Sequence, residues 1–449
     1  MAPAVAIKGE VITPEDSRYD EARAVYNAMI DKRPAAIARC VDTADVVAAI
    51  AYARENRLSI AVRGGGHNGA GLGTVEGGLV IDLSPMDAVT VDPAAKMVRV
   101  QGGATLGKVD TATHEHGLAV PAGIISTTGV GGLTLGGGLG HLTRKAGLTI
   151  DRMVSAEVVL ADGSVVTADA ERDADLFWAL RGGGGNFGVV TSFSFSCAEV
   201  KNVLTGPVLY DLADAAEVLA WYRDFIPQQP DELTGFFAFL SVPPGPPFPE
   251  ELHLRPVCGV VWCQVGEEET PAMKEARSFG TPLLDGVAPM PLPVIQSAFD
   301  GVYPPGDQWY WRADYVKEIP DAAVEKHVEF GNAMPTWKCT MHLYPVDGAA
   351  SRVPKDATAW WYRDAQWTQV MVGVDPDPAN ADVIRDWSIS YWEALHPYSM
   401  GGAYVNMMMD EGQERVQATY GGNYERLAKI KSAYDPDNVF HVNQNIRPA

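Results

Sequence analysis

The feature that most limits what this chain can fold into is a set of glycine clusters, all before Lys201. They are Gly64-Gly65-Gly66 followed by His67 and Asn68; Gly129, Gly131 and Gly132 leading to Gly136-Gly137-Gly138 and Gly140; Gly182 to Gly185 with Asn186; and the lesser pair Gly77-Gly78. A glycine triplet directly after a buried strand removes every Cβ and frees several N–H groups to converge on one anion. A diphosphate needs such a surface. None of the clusters lies as GxGxxG between a strand and a helix, and none is GxxxxGK[ST], so neither a Rossmann site nor a nucleotide-triphosphatase loop is supported. One triplet could serve only a tight turn; several in one part of the chain point to a bound group.

Composition narrows the partners. The 449 residues include 35 basic and 57 acidic side chains, a formal charge of -22. A nucleic-acid binder needs a basic face and an anionic membrane attracts one, so neither partner is expected. An anionic cofactor stays open, because backbone N–H groups hold phosphate without Lys or Arg. With 47% hydrophobic and 20% charged residues the chain is globular. At roughly 100–200 residues per domain, two large units are the simplest division. Cys40, Cys197, Cys258, Cys263 and Cys339 show no CxxC spacing and read as buried free thiols. His114, His116, His141 and His327 have no metal-like spacing, so no metal is assigned. The opening MAPAVAIKGEVITPED is too short and acidic for a signal peptide, and no apolar run reaches the roughly 20 residues of a membrane span. A cytoplasmic protein, monomer or homo-oligomer, is the default expectation.

Up to residue 200 strands and helices alternate. A helix over Ala44–Asn56 precedes a strand over Leu58–Val62 that runs into the first triplet. A helix from Thr105 to His116 is closed by Gly117. Val154–Leu160 and Val165–Ala168 form a hairpin, with Asp162-Gly163 suited to a type I′ turn. Beyond Lys201 the glycine clusters cease and aromatic residues become frequent. Candidate strands near Thr234–Ser241, Val257–Val265, Thr336–Tyr344 and Gln366–Val374 mix with helices Asp211–Phe225, Thr270–Phe279, Asp321–Gly331 and Ala379–Leu395. One more helix, Tyr420–Ser432, precedes a polar tail.

The segments Val62-Arg63-Gly64-Gly65-Gly66-His67-Asn68, Pro121-Ala122-Gly123 through Gly132, Gly136-Gly137-Gly138, and Asp175 through Gly188 resemble the FAD-linked oxidoreductases of the vanillyl-alcohol oxidase type. Within them they are most similar to the berberine bridge enzyme and hydroxynicotine oxidase subgroup. The tail Asp435–Phe440 and Asn443–Ile446 matches as well. The resemblance implies an α+β fold: an FAD-binding domain of two α+β subdomains with an inserted antiparallel-sheet substrate domain backed by helices. The expected division is 1–200 for the FAD-binding domain, 201–404 for the substrate domain and 405–449 for the return to the first.

The resemblance also implies FAD, carried covalently by His67. It places Arg63, Gly64, Gly65, Gly66, Asn68, Pro121, Gly123, Thr128, Gly129, Gly131, Gly132, Gly136, Gly137, Gly138, Gly188, Val189, Val190 and Asn443 around the cofactor. Many relatives make a second link through a cysteine; the matching position is Ile125, so a single bond through His67 is expected. The position that controls oxygen access matches Thr128, a fairly small side chain, which favours an oxidase using molecular oxygen. The implied reaction is hydride transfer from an alcohol or amine carbon of a small or medium metabolite to the flavin. A dehydrogenase or oxidative cyclase on the same fold, and a flavin-binding protein without turnover, are the alternatives. Tyr404, in Gly401–Asn406, matches a tyrosine used as base, and on a strand it would share a face with Asn406. A second tyrosine found in such relatives is here Leu139. The remaining polar candidates are Tyr310, Arg312, His342 and Tyr362, with Trp309, Trp311 and Trp337 available to stack a flat substrate.

Overall fold

The computed structural model describes residues 5–449, so the first four residues of the opening segment lie outside it. The N-terminal part contains two small sheets. In the first, Glu10–Ile12, Ala36–Arg39, Leu79–Asp82 and Ile60–Arg63 lie in that order, the last three parallel. The helix Thr43–Glu55 makes the crossover. It starts where the Asp42 carboxylate accepts the Asp45 N–H at 3.0 Å, an N-cap that satisfies one otherwise unpaired donor. Its stripe of Val46, Ala49, Ile50 and Ala53 packs on Ile60, Leu79 and Ile81. The second sheet is antiparallel, in the order Val89–Asp92, Met97–Gln101, Val189–Ser196, Met153–Val159, Val165–Asp169. These two sheets form the two α+β halves expected of the N-terminal domain. The hairpin between the last two of these strands is present but its turn is different. Leu160 N–H donates to Ser164 across three residues and only Gly163 has positive φ, at 87°. A type I′ turn needs two such residues, and Asp162 instead accepts the Ser164 N–H at 2.9 Å.

Residues 202–375 build the inserted sheet. Its order is Leu284–Asp285, Asn202–Asp211, Pro256–Val265, Leu233–Ser241, Thr340–Pro345, Trp367–Asp375, Gln308–Val316, with Ala288–Pro291 also paired to Asn202–Asp211. The four strands expected from sequence are there, displaced by a few residues at their ends. Asn202–Asp211 and Gln308–Val316 were not expected as strands. Both are covered on two faces, and buried strands lose the apolar–polar alternation by which strands are read. One face of the sheet, with Phe237, Phe239, Met341, Leu343 and Met371, packs on the helices Ala215–Phe225, Asp321–Gly331 and Ala381–Leu395. The other, with Phe236, Trp309, Trp311, Tyr344, Val370 and Val372, turns toward the glycine clusters.

The tail returns to the N-terminal part. The last helix starts at Tyr424, later than expected, because Gly421–Asn423 forms a 3₁₀ turn. Within it, buried Lys431 pairs with Asp435 at 2.5 Å and donates to the carbonyls of Asn186 at 2.6 Å and Phe440 at 2.9 Å. Asn186 Nδ2 donates to Gln444 O at 3.1 Å, and its Oδ1 accepts the Ile446 N–H at 2.9 Å. Among the described residues, no helix is long and apolar enough to cross a membrane.

Candidate active site

Two glycine loops meet backbone to backbone. A Cβ on Gly65 would lie 2.3 Å from Gly129 N, and a Cβ on Gly129 would lie 2.2 Å from Gly65 N. No side chain fits at either position. The strand Ile60–Arg63 delivers the first loop, and the buried Arg63 guanidinium holds its root through Asp82 at 2.9 Å. That ion pair occupies the charge of Arg63. Above this junction is a cavity of about 330 Å³ between the glycine loops, the inner sheet face and the tail.

Of the residues named from sequence, Arg63, Gly64, Gly65, Gly66, His67, Asn68, Gly123, Thr128, Gly129, Gly131, Gly132, Gly188, Val190, His342, Tyr404, Asn406 and Asn443 line this cavity. Val189 does not, because neighbouring strand residues face opposite ways; it packs with Val159 in the first sheet's core. Pro121 stands behind the wall, its carbonyl accepting from Thr149 Oγ1 at 2.6 Å. Gly136, Gly137 and Gly138 support the wall: a Cβ on Gly136 would lie 2.0 Å from Asn406 Oδ1.

His67 stacks on Tyr26 with ring centroids 3.9 Å apart. Its Nε2 lies 3.0 Å from Thr127 Oγ1 and its Nδ1 3.4 Å from Thr128 Oγ1. Burial pushes the imidazole down to about 4, so it is neutral at pH 7. Tyr404 is not on a strand. It precedes the 3₁₀ turn Val405–Met407, and that turn brings Asn406 back so that its Nδ2 donates to Tyr404 Oη at 2.8 Å. Gly138 N–H donates to the same oxygen at 2.9 Å. Burial raises the phenol to about 12, and these two donors work in the opposite direction.

Three polar candidates lie away from the cavity, and Trp337 is not on its wall either. On Gln308–Val316, Trp309 and Trp311 face it, while Tyr310 and Arg312 face the helix Ala381–Leu395. Arg312 pairs with Glu411 at 2.6 Å and donates to Tyr310 Oη at 2.9 Å. Asp314 is taken by Arg415 at 2.5 Å and His396 at 3.0 Å. Tyr362 donates to Ala418 O at 2.7 Å and stacks on Tyr315. Sequence reasoning missed Tyr26, Tyr303 and Tyr344, all on the cavity wall. For Tyr344 the signal was its place two residues after His342 in a strand. Ile125 lines the wall where a second linking cysteine would stand, and all five cysteines are buried and free.

The family model described as FAD binding domain matches residues 34–169, and the one described as Berberine and berberine like matches 403–447. An uncharacterized FAD-linked oxidoreductase of Bacillus subtilis is 33% identical, over 98% of this chain and 97% of its own. The chain belongs to the berberine-bridge-like FAD-linked oxidoreductases. (R)-6-hydroxynicotine oxidase of Paenarthrobacter nicotinovorans is 30% identical over all of this chain and 98% of its own. The crystal structure of 6-hydroxy-D-nicotine oxidase from Arthrobacter nicotinovorans superposes with a TM-score of 0.89 at 26% identity, covering both chains fully. A xylooligosaccharide oxidase from Myceliophthora thermophila, solved with xylobiose, gives 0.86 at 25% identity over 98% of each chain. Like the family, this chain is an FAD-dependent oxidoreductase acting on small molecules.

The residues present fit FAD. The N–H groups of Gly64 to His67 donate to no protein acceptor among the described residues, an arrangement suited to a diphosphate. Asn443 lines the cavity, with Nδ2 donating to Gly185 O at 3.3 Å and a buried Oδ1 that has no partner among the described residues. A buried acceptor of this kind suits a ring N–H.

Proposed function

We propose that this berberine-bridge-like protein is an oxidase that removes hydride from an alcohol or amine carbon of a small or medium metabolite and passes the electrons to molecular oxygen. Its FAD is held by one covalent bond, through His67. The domains divide as 1–200, 201–404 and 405–449, and Tyr404 takes the substrate proton. FAD, when bound, supplies the two-electron acceptor; the rest of the work belongs to the chain.

The observation that carries this reading is the environment of Tyr404 Oη. It lies on the cavity wall and accepts hydrogen bonds from Gly138 N–H and Asn406 Nδ2. Both donors favour the phenolate, the form of Tyr404 that can take the substrate proton, and so oppose the burial that disfavours it. Asn406 is itself fixed, its Nδ2 also donating to Leu133 O at 2.9 Å. His67 supports the single attachment: a neutral ring nitrogen is nucleophilic, Tyr26 fixes the ring plane, and the two threonine hydroxyls orient the nitrogens. Thr128 is small and stands at the cavity wall beside His67, in keeping with access for dioxygen. The relatives named as hydroxynicotine and xylooligosaccharide oxidases support an oxidase acting on a small molecule.

The test is to incubate the purified yellow protein with a panel of amines, secondary alcohols and sugars in air. Oxygen consumption with equal release of hydrogen peroxide is the expected result. Bleaching of the flavin by a substrate without oxygen consumption would assign the protein to the dehydrogenases.

A further inference from the structure

The wall of the cavity carries one ionic side chain among the described residues, Arg63, and its charge is already paired with Asp82. A charged substrate would therefore lose its hydration with no counterion to replace it, which is costly in a partly enclosed site. The same wall is rich in rings. Tyr26 lies 5.3 Å from Trp309, Tyr303 lies 5.4 Å from Trp309, and Trp309 lies 5.8 Å from Trp311, centroid to centroid. The series reaches His67 through Tyr26. A flat, uncharged molecule suits that surface.

His342 and Tyr344 set polar groups on this wall. Two apart on Thr340–Pro345, they share the cavity face, and His342 Nδ1 lies 2.6 Å from Tyr344 Oη. Phe236 packs against both, at 4.9 and 5.0 Å. Burial holds the imidazole neutral and the phenol protonated at neutral pH. His342 Nδ1 is engaged by Tyr344, and its Nε2 has no protein partner among the described residues, while the half-buried ring lines the cavity.

We propose that His342 and Tyr344 form one hydrogen-bonded recognition pair, with His342 Nε2 contacting the hydroxyl or N–H of an uncharged aromatic substrate and Tyr344 positioning the imidazole. The inference deepens the oxidase reading and rests on it for the identity of the cavity as the substrate site. Tyr344 fixes the ring plane and the tautomer, which decides whether Nε2 donates or accepts.

The experiment uses the FAD-loaded protein and follows flavin absorbance during titration. The probes are 2-phenyl-2-propanol, which has no hydrogen on its carbinol carbon and so cannot reduce the flavin, cumene, which lacks only the hydroxyl, and benzoate, which is charged. The expected Kd for 2-phenyl-2-propanol is about tenfold below that for cumene, the upper worth of one neutral hydrogen bond. Benzoate should bind more weakly than either. His342→Phe should bring the alcohol and the hydrocarbon within about twofold of each other, His342→Gln should restore the preference, and Tyr344→Phe should reduce it to about threefold. Equal binding of benzoate and 2-phenyl-2-propanol would overturn the assignment of an uncharged substrate. A full preference in His342→Phe would overturn the contact, and a full preference in Tyr344→Phe would overturn the pair; the latter variant decides if His342→Phe does not fold. Oxygen uptake recorded separately tests the oxidase reading, since ligand preference is read without turnover.

Discussion

Asn406 Nδ2 reaches Tyr404 Oη, 2.8 Å away, because a 3₁₀ turn folds the chain back between them. The same oxygen accepts the Gly138 N–H. Replacing Tyr404 with Phe keeps the buried ring and removes only that oxygen. FAD content should hold, while reduction of the flavin by substrate, measured by anaerobic stopped flow, should slow roughly 100- to 10,000-fold, the range of a general base. Reduction at the wild-type rate would assign Tyr404 to packing.

Asn406→Ala removes one of the two donors and leaves the other. The phenol then becomes harder to ionise, so the reductive rate should fall about tenfold and its pH profile should move to higher pH. An unshifted profile would separate Asn406 from the proton step.

Gly65→Ala and Gly129→Ala address one backbone contact from its two sides. Either substitution pushes the loops apart, costing about 1–3 kcal/mol and most of the bound FAD. Because the two share the contact, the double variant should lose much less than the sum of the singles. Additive losses in thermal unfolding would mean that the loops do not depend on each other.

Asp110 is buried on the helix Leu106–His114, and burial raises its carboxyl to about 7. Gln296 approaches it at 3.5 Å and donates to Gly123 O at 3.0 Å, which ties this carboxyl to the cavity wall. Its folded pKa exceeds the unfolded value near 3.9. The stability it contributes is therefore complete below about pH 4 and is lost as the pH rises through about 7. Asp110→Asn should stabilise the protein by about 1–3 kcal/mol at pH 8 and flatten the loss of stability between pH 5 and 8. Chemical denaturation at several pH values measures this; an unchanged slope would show that another group carries it.

Much of the cofactor site was legible because it is local. A glycine triplet, a histidine and an asparagine in one loop keep their meaning wherever the loop lies. The substrate side was less legible because it depends on which way strand residues face. Tyr310 and Arg312 looked as suitable as Trp309 and Trp311, yet alternation turns them to the opposite face, where Glu411 binds the arginine. Tyr344 stands two residues after His342 and so shares its strand face, but only the placement of Thr340–Pro345 in the sheet turns that face to the cavity. The contact of Asn186 with Gln444 and Ile446 joins segments far apart in the chain, and the tail motifs alone hinted at it.

The attachment at His67 tests the account most directly. The purified protein is precipitated in acid, digested, and the peptides are analysed by mass spectrometry. The account predicts that the yellow colour stays with the protein and that one flavin-bearing peptide is found, containing His67, with all five cysteines unmodified. Release of all the FAD on denaturation, or a flavin linked to any cysteine, would contradict it.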